Sequence, residues 1–314
     1  MGHQPGAGQA RNRLLRAVGL TVALAAVAFC VVTLVDQWGR VSAAIRRADV
    51  GLLALALLAS GLAMLGLALL WWACLRRAGA ALRPLAVVAW YFGGELGKYL
   101  PGSVWSVLGR GELAARSGAV GRRDAYLTTL AAYAVMALAA GFACGLLGPA
   151  AALDGGAPAF WLLAVLVPLG LLSGAPPALR AAAALTTRVT RGRITWTPPS
   201  WAQLVRLVLG AVPTWLLVGG AAVAVTAALH LDQRPMQVAL AAVVAWIVGF
   251  LAVPVPAGAG VREVLFVAIC GLDAGPATAV AAIARILLVA VDAAGGVLGL
   301  AYSGRRRPAV AEQP

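Results

Sequence analysis

The sequence predicts an all-α, polytopic membrane protein, with about six full transmembrane helices plus two re-entrant helical hairpins in an inverted repeat. Three observations predict it. The first is apolarity: 62% of the 314 residues are hydrophobic, 11% are charged, and the mean hydropathy is +0.90, which excludes a soluble domain of this size. The second is the placing of charge. All but one of the 25 basic residues are Arg, and they cluster in short connections between apolar runs. That is the positive-inside pattern, and it excludes the nucleic-acid reading of a +14 chain. The third is a pair of apolar segments interrupted by Pro and Gly that carry both acids and bases.

Residues 1–13 are polar, Gly-rich and basic, and read as a disordered cytoplasmic N-terminus. One integral membrane domain then occupies residues 14–302, and a basic tail, 303–314, places the C-terminus in the cytoplasm. Leu14–Val35 is a first, uncleaved span, since its apolar core is too long for a signal peptide. Val50–Leu75 is a second, closed by Trp71-Trp72 and Arg76-Arg77, an aromatic belt followed by a cytoplasmic anchor. Leu85–Leu100, a break at Pro101-Gly102, and Ser103–Ala115 form a hairpin with basic flanks on both sides, so both of its ends are cytoplasmic. Ala125–Leu147 spans, and Gly148–Pro158, with no basic residue, is an external loop. Phe160–Ser173 is a short span. Ala175–Pro199 is the largest cytoplasmic loop, where a plain solvated loop is favoured over an amphipathic surface helix at Leu179–Val189. Val205–Leu229 spans outward. Met236–Val253 and Val264–Leu272, joined through Pro256, Gly258 and Gly260, cannot both cross, and form a second hairpin rooted outside. Ala277–Tyr302 is the last span.

Orientation alone therefore divides the domain into pseudo-repeats, about 14–147 and 159–302, with hairpins of opposite sense. Inverted repeats with broken helices near the midplane are an architecture of alternating-access transporters. Within the apolar stretches stand Glu95, Lys98, Arg110, Glu112, Arg262, Glu263, Arg285 and Asp292. Even on the most lenient scale a charge at bilayer depth costs about 3 kcal/mol, so such residues face a protein interior or a wet cavity and pair with one another. These eight are the candidate substrate-binding residues. Pro101, Gly102, Pro256, Gly258 and Gly260 are the candidate hinges. The arginines suit forked hydrogen bonds to a phosphate, and the acids suit orienting them or meeting a cationic headgroup. Cys30, Cys74, Cys144 and Cys270 lie in apolar runs without CxxC spacing and read as packing residues, while His3 and His230 form no constellation, so neither a metal nor a cofactor is expected.

Lys98-Tyr-Leu-Pro101-Gly102 with Gly109-Arg110-Gly111-Glu112, the block Pro256-Ala-Gly258-Ala-Gly260-Val-Arg262-Glu263, and Arg285 in the last helix resemble the lysylphosphatidylglycerol synthase transmembrane family. That family includes the flippase half of the aminoacyl-phosphatidylglycerol synthases and stand-alone membrane proteins. Ala257 departs from the glycine usual at its position. No aminoacyl-transferase domain follows residue 302, so the resemblance implies a stand-alone translocator in the cytoplasmic membrane, and not a synthase.

The leading expectation is thus a lipid or glycolipid translocator, flippase-like and not an enzyme, moving a polar, phosphate-bearing headgroup through a charged intramembrane cavity. A small-solute secondary transporter is the alternative that the inverted repeat permits equally. A membrane-embedded lipid-modifying enzyme lacks a DxD pair or a His-based acid/base pair. A scaffold for other envelope proteins would need none of the buried charges. Candidate partners are membrane lipids, with anionic headgroups at the cytoplasmic Arg clusters, and a second copy of the chain or an envelope enzyme.

Overall fold

The computed structural model describes residues 46, 48–99, 104–192, 196–252, 256–258 and 260–305. The expected N-terminal segment, the first span at Leu14–Val35, the hinge Pro101-Gly102 and most of the C-terminal tail lie outside them.

The described residues are helical. Four helices are long and apolar enough to cross a membrane: α1 (Val50–Arg77), α4 (Arg122–Leu153), α7 (Trp201–Ala228) and α10 (Ala274–Arg305). Between them lie α2 (Pro84–Glu95), α3 (Val104–Arg116), α5 (Leu166–Ser173), α6 (Pro176–Val189), α8 (Pro235–Leu251) and α9 (Val261–Ile269). The caps follow from sequence. The Asp49 carboxylate accepts from Leu52 N at 3.1 Å to start α1. Ser200 and Gln203 form a reciprocal capping box on α7. Arg76 and Arg77 close α1, where cations offset the helix dipole.

The core is α1, α4 and α7 packed together, with α8 against α4 and α7. Lipid tails are as apolar as Leu, so packing between such helices comes from close contact and from satisfied polar groups. Small residues give the contact: Gly66 of α1 sits on Thr214 of α7, and Gly219 of α7 on Ala239 of α8. Each deeply buried indole has an acceptor: Trp71 Nε1 donates to Thr129 Oγ1 and Trp215 Nε1 to the Met136 carbonyl, both at 3.2 Å. Gly295, Gly296 and Gly299 bring α10 against Phe92 and Ala89 of α2 and against Leu96 just after it.

Two helix pairs fold back on themselves. In the first, α2 runs through a 3₁₀ turn (Leu96–Tyr99) and α3 returns along it, with Gly97 against the Trp105–Ser106 backbone. In the second, α8 turns through Pro256–Gly258 and α9 returns along it. Its open ends are tied, because Gln237 Nε2 donates to the Ile269 carbonyl at 2.7 Å. The turn needs left-handed backbone at three positions: Gly258 at φ 67° and Gly260 at φ 80°, and also Ala257 at φ 50°. Glycine adopts that region freely, whereas alanine is strained there.

Three expectations need correction. Helix α4 continues to Leu153, so the connection expected at Gly148–Pro158 shrinks to a turn. Pro149 forfeits only one bond, to the Gly145 carbonyl, and the Ala-Ala-Ala-Leu that follows favours helix. The segment expected as a short span at Phe160–Ser173 is a 3₁₀ stretch, Pro158–Val165, running into α5, and this unit bends by 73° into α6. It counts as a span only if the bent pair is taken together, so the described residues hold four or five spans. The region favoured as solvated loop contains α6, which starts at Pro176-Pro177, residues pre-set for a first turn, and runs through four alanines.

Candidate functional site

The turn that ends α2 places two opposite charges, Glu95 and Lys98, three residues apart. Glu95 closes the helix, and the tighter 3₁₀ turn carries Lys98 onto the same side. Lys98 Nζ lies 2.9 Å from Glu95 Oε1 and 2.6 Å from Oδ2 of Asp292, on α10. Tyr99 OH donates to the same Asp292 oxygen at 2.6 Å. The other oxygen of Glu95 pairs with Arg110, which comes back along α3. Arg110 lies over the Tyr91 ring, 3.8 Å from its centre, and 5.2 Å from that of Tyr133. The result is a continuous chain, Arg110–Glu95–Lys98–Asp292. Glu95, Arg110 and Asp292 are each at most 3% exposed. Buried charges of this kind hold only when mutually paired, because losing one partner costs about 3–5 kcal/mol.

The second hairpin repeats part of this arrangement with different outcomes. Arg262, at the start of α9, folds back over Gly249 and lies 4.6 Å from the centre of the Trp246 ring. Glu263 uses one oxygen to cap the Gly260 N–H at 2.7 Å and the other to pair with Arg285 of α10. Thus two charges within the apolar length of α10 meet different hairpins: Asp292 the first, Arg285 the second. Nε of Arg262, Nη2 of Arg285 and Oδ1 of Asp292 are buried without a hydrogen-bond partner.

A correspondence between the hairpins emerges at residue level. Tyr91, Gly94 and Arg110 in the first match Trp246, Gly249 and Arg262 in the second. In each, an aromatic residue three positions before a glycine carries the returning arginine on its face, and the arginine occupies the space that a glycine Cβ would need. The position after the glycine differs, being Glu95 in the first hairpin and Phe250 in the second.

These groups border one chamber of about 800 Å³, including its open mouth. Lys98, Arg262, Glu263, Arg285 and Asp292 line it, with Tyr99 and Trp246. The rest of the lining is largely apolar, with Val218, Ala221 and Ala222 of α7, Phe266 of α9 and Leu288 of α10. Of the eight charged residues singled out from sequence, five therefore face the chamber, and Glu95 and Arg110 stand directly behind Lys98. Glu112 is not brought there. Two residues beyond Arg110 on a helix it points about 200° away, and it pairs instead with Arg116 at 2.9 Å and Arg122 at 3.2 Å. Of the hinges, Gly258 packs on the Gly249 backbone and Gly260 starts α9. Tyr99, Trp246 and Phe266 were not anticipated; the recurring aromatic-x-x-Gly spacing was the signal that could have found Trp246. Cys74, Cys144 and Cys270 are buried free thiols.

No curated protein matches the chain. A family model described as the lysylphosphatidylglycerol synthase TM region matches residues 16–296, and the chain, a membrane protein of several apolar helices, belongs to that family.

Proposed function

We propose that this protein is a lipid or glycolipid translocator, flippase-like and without enzymatic activity of its own. A polar, phosphate-bearing headgroup passes through the chamber while its acyl or prenyl tails stay in the bilayer. One observation carries the reading: five charged side chains from the two helix pairs and from α10 share one chamber whose remaining lining is largely apolar. A chamber lined by both charged and apolar groups suits an amphiphile, with Lys98, Arg262 and Arg285 toward the phosphate and the Asp292 carboxylate toward a hydroxyl of the headgroup. The matched constellations at Tyr91/Gly94/Arg110 and Trp246/Gly249/Arg262 support an inverted repeat with re-entrant hairpins. Membership of a membrane family supports a place in the cytoplasmic membrane, and the basic termini support a cytoplasmic location for both.

The test is reconstitution. Vesicles holding the protein and a fluorescent phospholipid are treated with membrane-impermeant dithionite. The proposal expects label in the inner leaflet to become reducible, and expects Arg285→Ala to abolish this with the protein still inserted. Unchanged inner-leaflet protection, together with uptake of a water-soluble anion, would instead select the small-solute reading.

A further inference from the structure

We infer that the chamber takes a ligand with one net negative charge, whose anionic group is to Arg262 the counter-ion that Glu95 is to Arg110. The lipid nature of that ligand rests on the translocation reading above; the anion site itself does not.

The argument is a comparison of counter-ions. With Glu112 turned away, the set in and behind the chamber, three residues buried and four half-buried, holds three acids, Glu95, Glu263 and Asp292, and four bases, Lys98, Arg110, Arg262 and Arg285. Three pairs form: Glu95 with Arg110, Asp292 with Lys98, and Glu263 with Arg285. Arg262 is left without a carboxylate within salt-bridge distance among the described residues. Its Nε is buried and unpartnered, and its cation rests on the Trp246 face. An indole face contributes only about 1–2 kcal/mol to a cation, whereas a charge at bilayer depth costs more than that.

The reason lies in one sequence position. In the first hairpin the residue after the glycine is Glu95, which neutralises the arginine lying on Tyr91. In the second hairpin that residue is Phe250. Its ring stacks on Trp246 at 5.8 Å and packs on Tyr133 at 5.0 Å. The second hairpin therefore keeps the arginine and its aromatic bed but has lost the internal counter-ion. Arg262 and Arg285 both border the chamber, so an anion there meets two arginines, one of them without a carboxylate partner. A phosphodiester or carboxylate brings the set to neutrality. A zwitterion leaves it positive, and a dianion overshoots.

The test supplies the missing acid from within. Purified full-length protein in neutral detergent is titrated with phosphatidylglycerol, which has one net charge, with zwitterionic phosphatidylcholine, and with the soluble phosphodiester dimethyl phosphate. Binding is read by calorimetry on wild type, Phe250→Glu, Phe250→Gln and Arg262→Gln. We expect phosphatidylglycerol to bind at least about tenfold more tightly than phosphatidylcholine, a difference of about 1.4 kcal/mol. Phe250→Glu and Arg262→Gln lose that preference, and Phe250→Gln, equal in size to the glutamate but uncharged, retains it. Dimethyl phosphate competing as well as the lipid assigns the site to a free anion; competing only weakly assigns it to a lipid headgroup. Equal binding of the two lipids by wild type, or a Phe250→Glu protein that binds phosphatidylglycerol like wild type, overturns the inference. Preferential binding with no inner-leaflet label reduced in vesicles would instead refute translocation and leave the anion site standing.

Discussion

Gly94 and Gly249 explain how two large cations can be stored inside an apolar protein. A Cβ at Gly94 would lie 2.7 Å from Arg110 Cγ and 3.1 Å from the Arg110 backbone nitrogen, and one at Gly249 would meet the side chain of Arg262. Gly94→Ala pushes against backbone, so it should destabilise by about 1–3 kcal/mol, the usual penalty of overpacking, and lower the apparent Tm in detergent. At Gly249 the nearest atoms belong to the Arg262 side chain, beginning with its Cγ close to the backbone, so Gly249→Ala should also destabilise, and should lift Arg262 off Trp246 and reduce translocation. Gly220→Ala, whose added methyl would meet nothing within 4 Å, serves as the control and should leave both readouts unchanged. Normal transport by Gly249→Ala would show that Arg262 need not lie where it does. At this scale the sequence was partly legible. Glu95 and Lys98, three residues apart, announce a pair by helical spacing alone. Lys98 and Asp292 do not, since nothing local links residues so distant in the chain. Glu112 was misleading because its proximity to Arg110 along the chain conceals a large rotation around the helix.

The helical elements follow from apolar length, and where they depart from expectation the cause is local. Long runs such as Val50–Leu75 and Ala277–Tyr302 leave no choice but helix, since an unpaired backbone group in lipid costs several kcal/mol. Ends are harder to read, because alanine continues a helix wherever nothing stops it, as past Pro149 and through α6. The turn between α8 and α9 was recognisable from its Pro and Gly content, but its demand for left-handed backbone at Ala257 was not. This residue gives the element-scale prediction. Ala257→Gly relieves a conformation that costs an alanine about 1 kcal/mol, so the apparent Tm in detergent should rise by a few degrees. A fall in Tm would mean that the Ala257 methyl group contributes more by packing against Tyr99 and Val289 than its backbone loses.

On the scale of the whole molecule, two kinds of information are superimposed in one chain. Arginines in the connections carry the charge signal from which the proposed topology, with hairpins of opposite sense, is argued. Charges within the apolar segments carry the site, but their mutual arrangement depends on how α10 threads past both hairpins, pairing through Asp292 with one and through Arg285 with the other. Sequence listed the participants; only the packing of three elements decided the pairs and left Arg262 over. The chamber is thus a junction at which a shift of either helix pair relative to α10 would break ion pairs to Asp292 or Arg285.

The central claim is that lipid enters this chamber. It is tested most directly by placing a photoreactive benzophenone amino acid at Phe266, in the apolar part of the lining, irradiating intact membranes, and identifying the adducts by mass spectrometry. Val297, 65% exposed on the outer surface of α10, provides a bulk-lipid control. The account predicts a phospholipid or glycolipid adduct at Phe266, enriched over the control in species with one net negative charge and lost in Arg262→Gln. Capture of lipid at Val297 but none at Phe266 would contradict it.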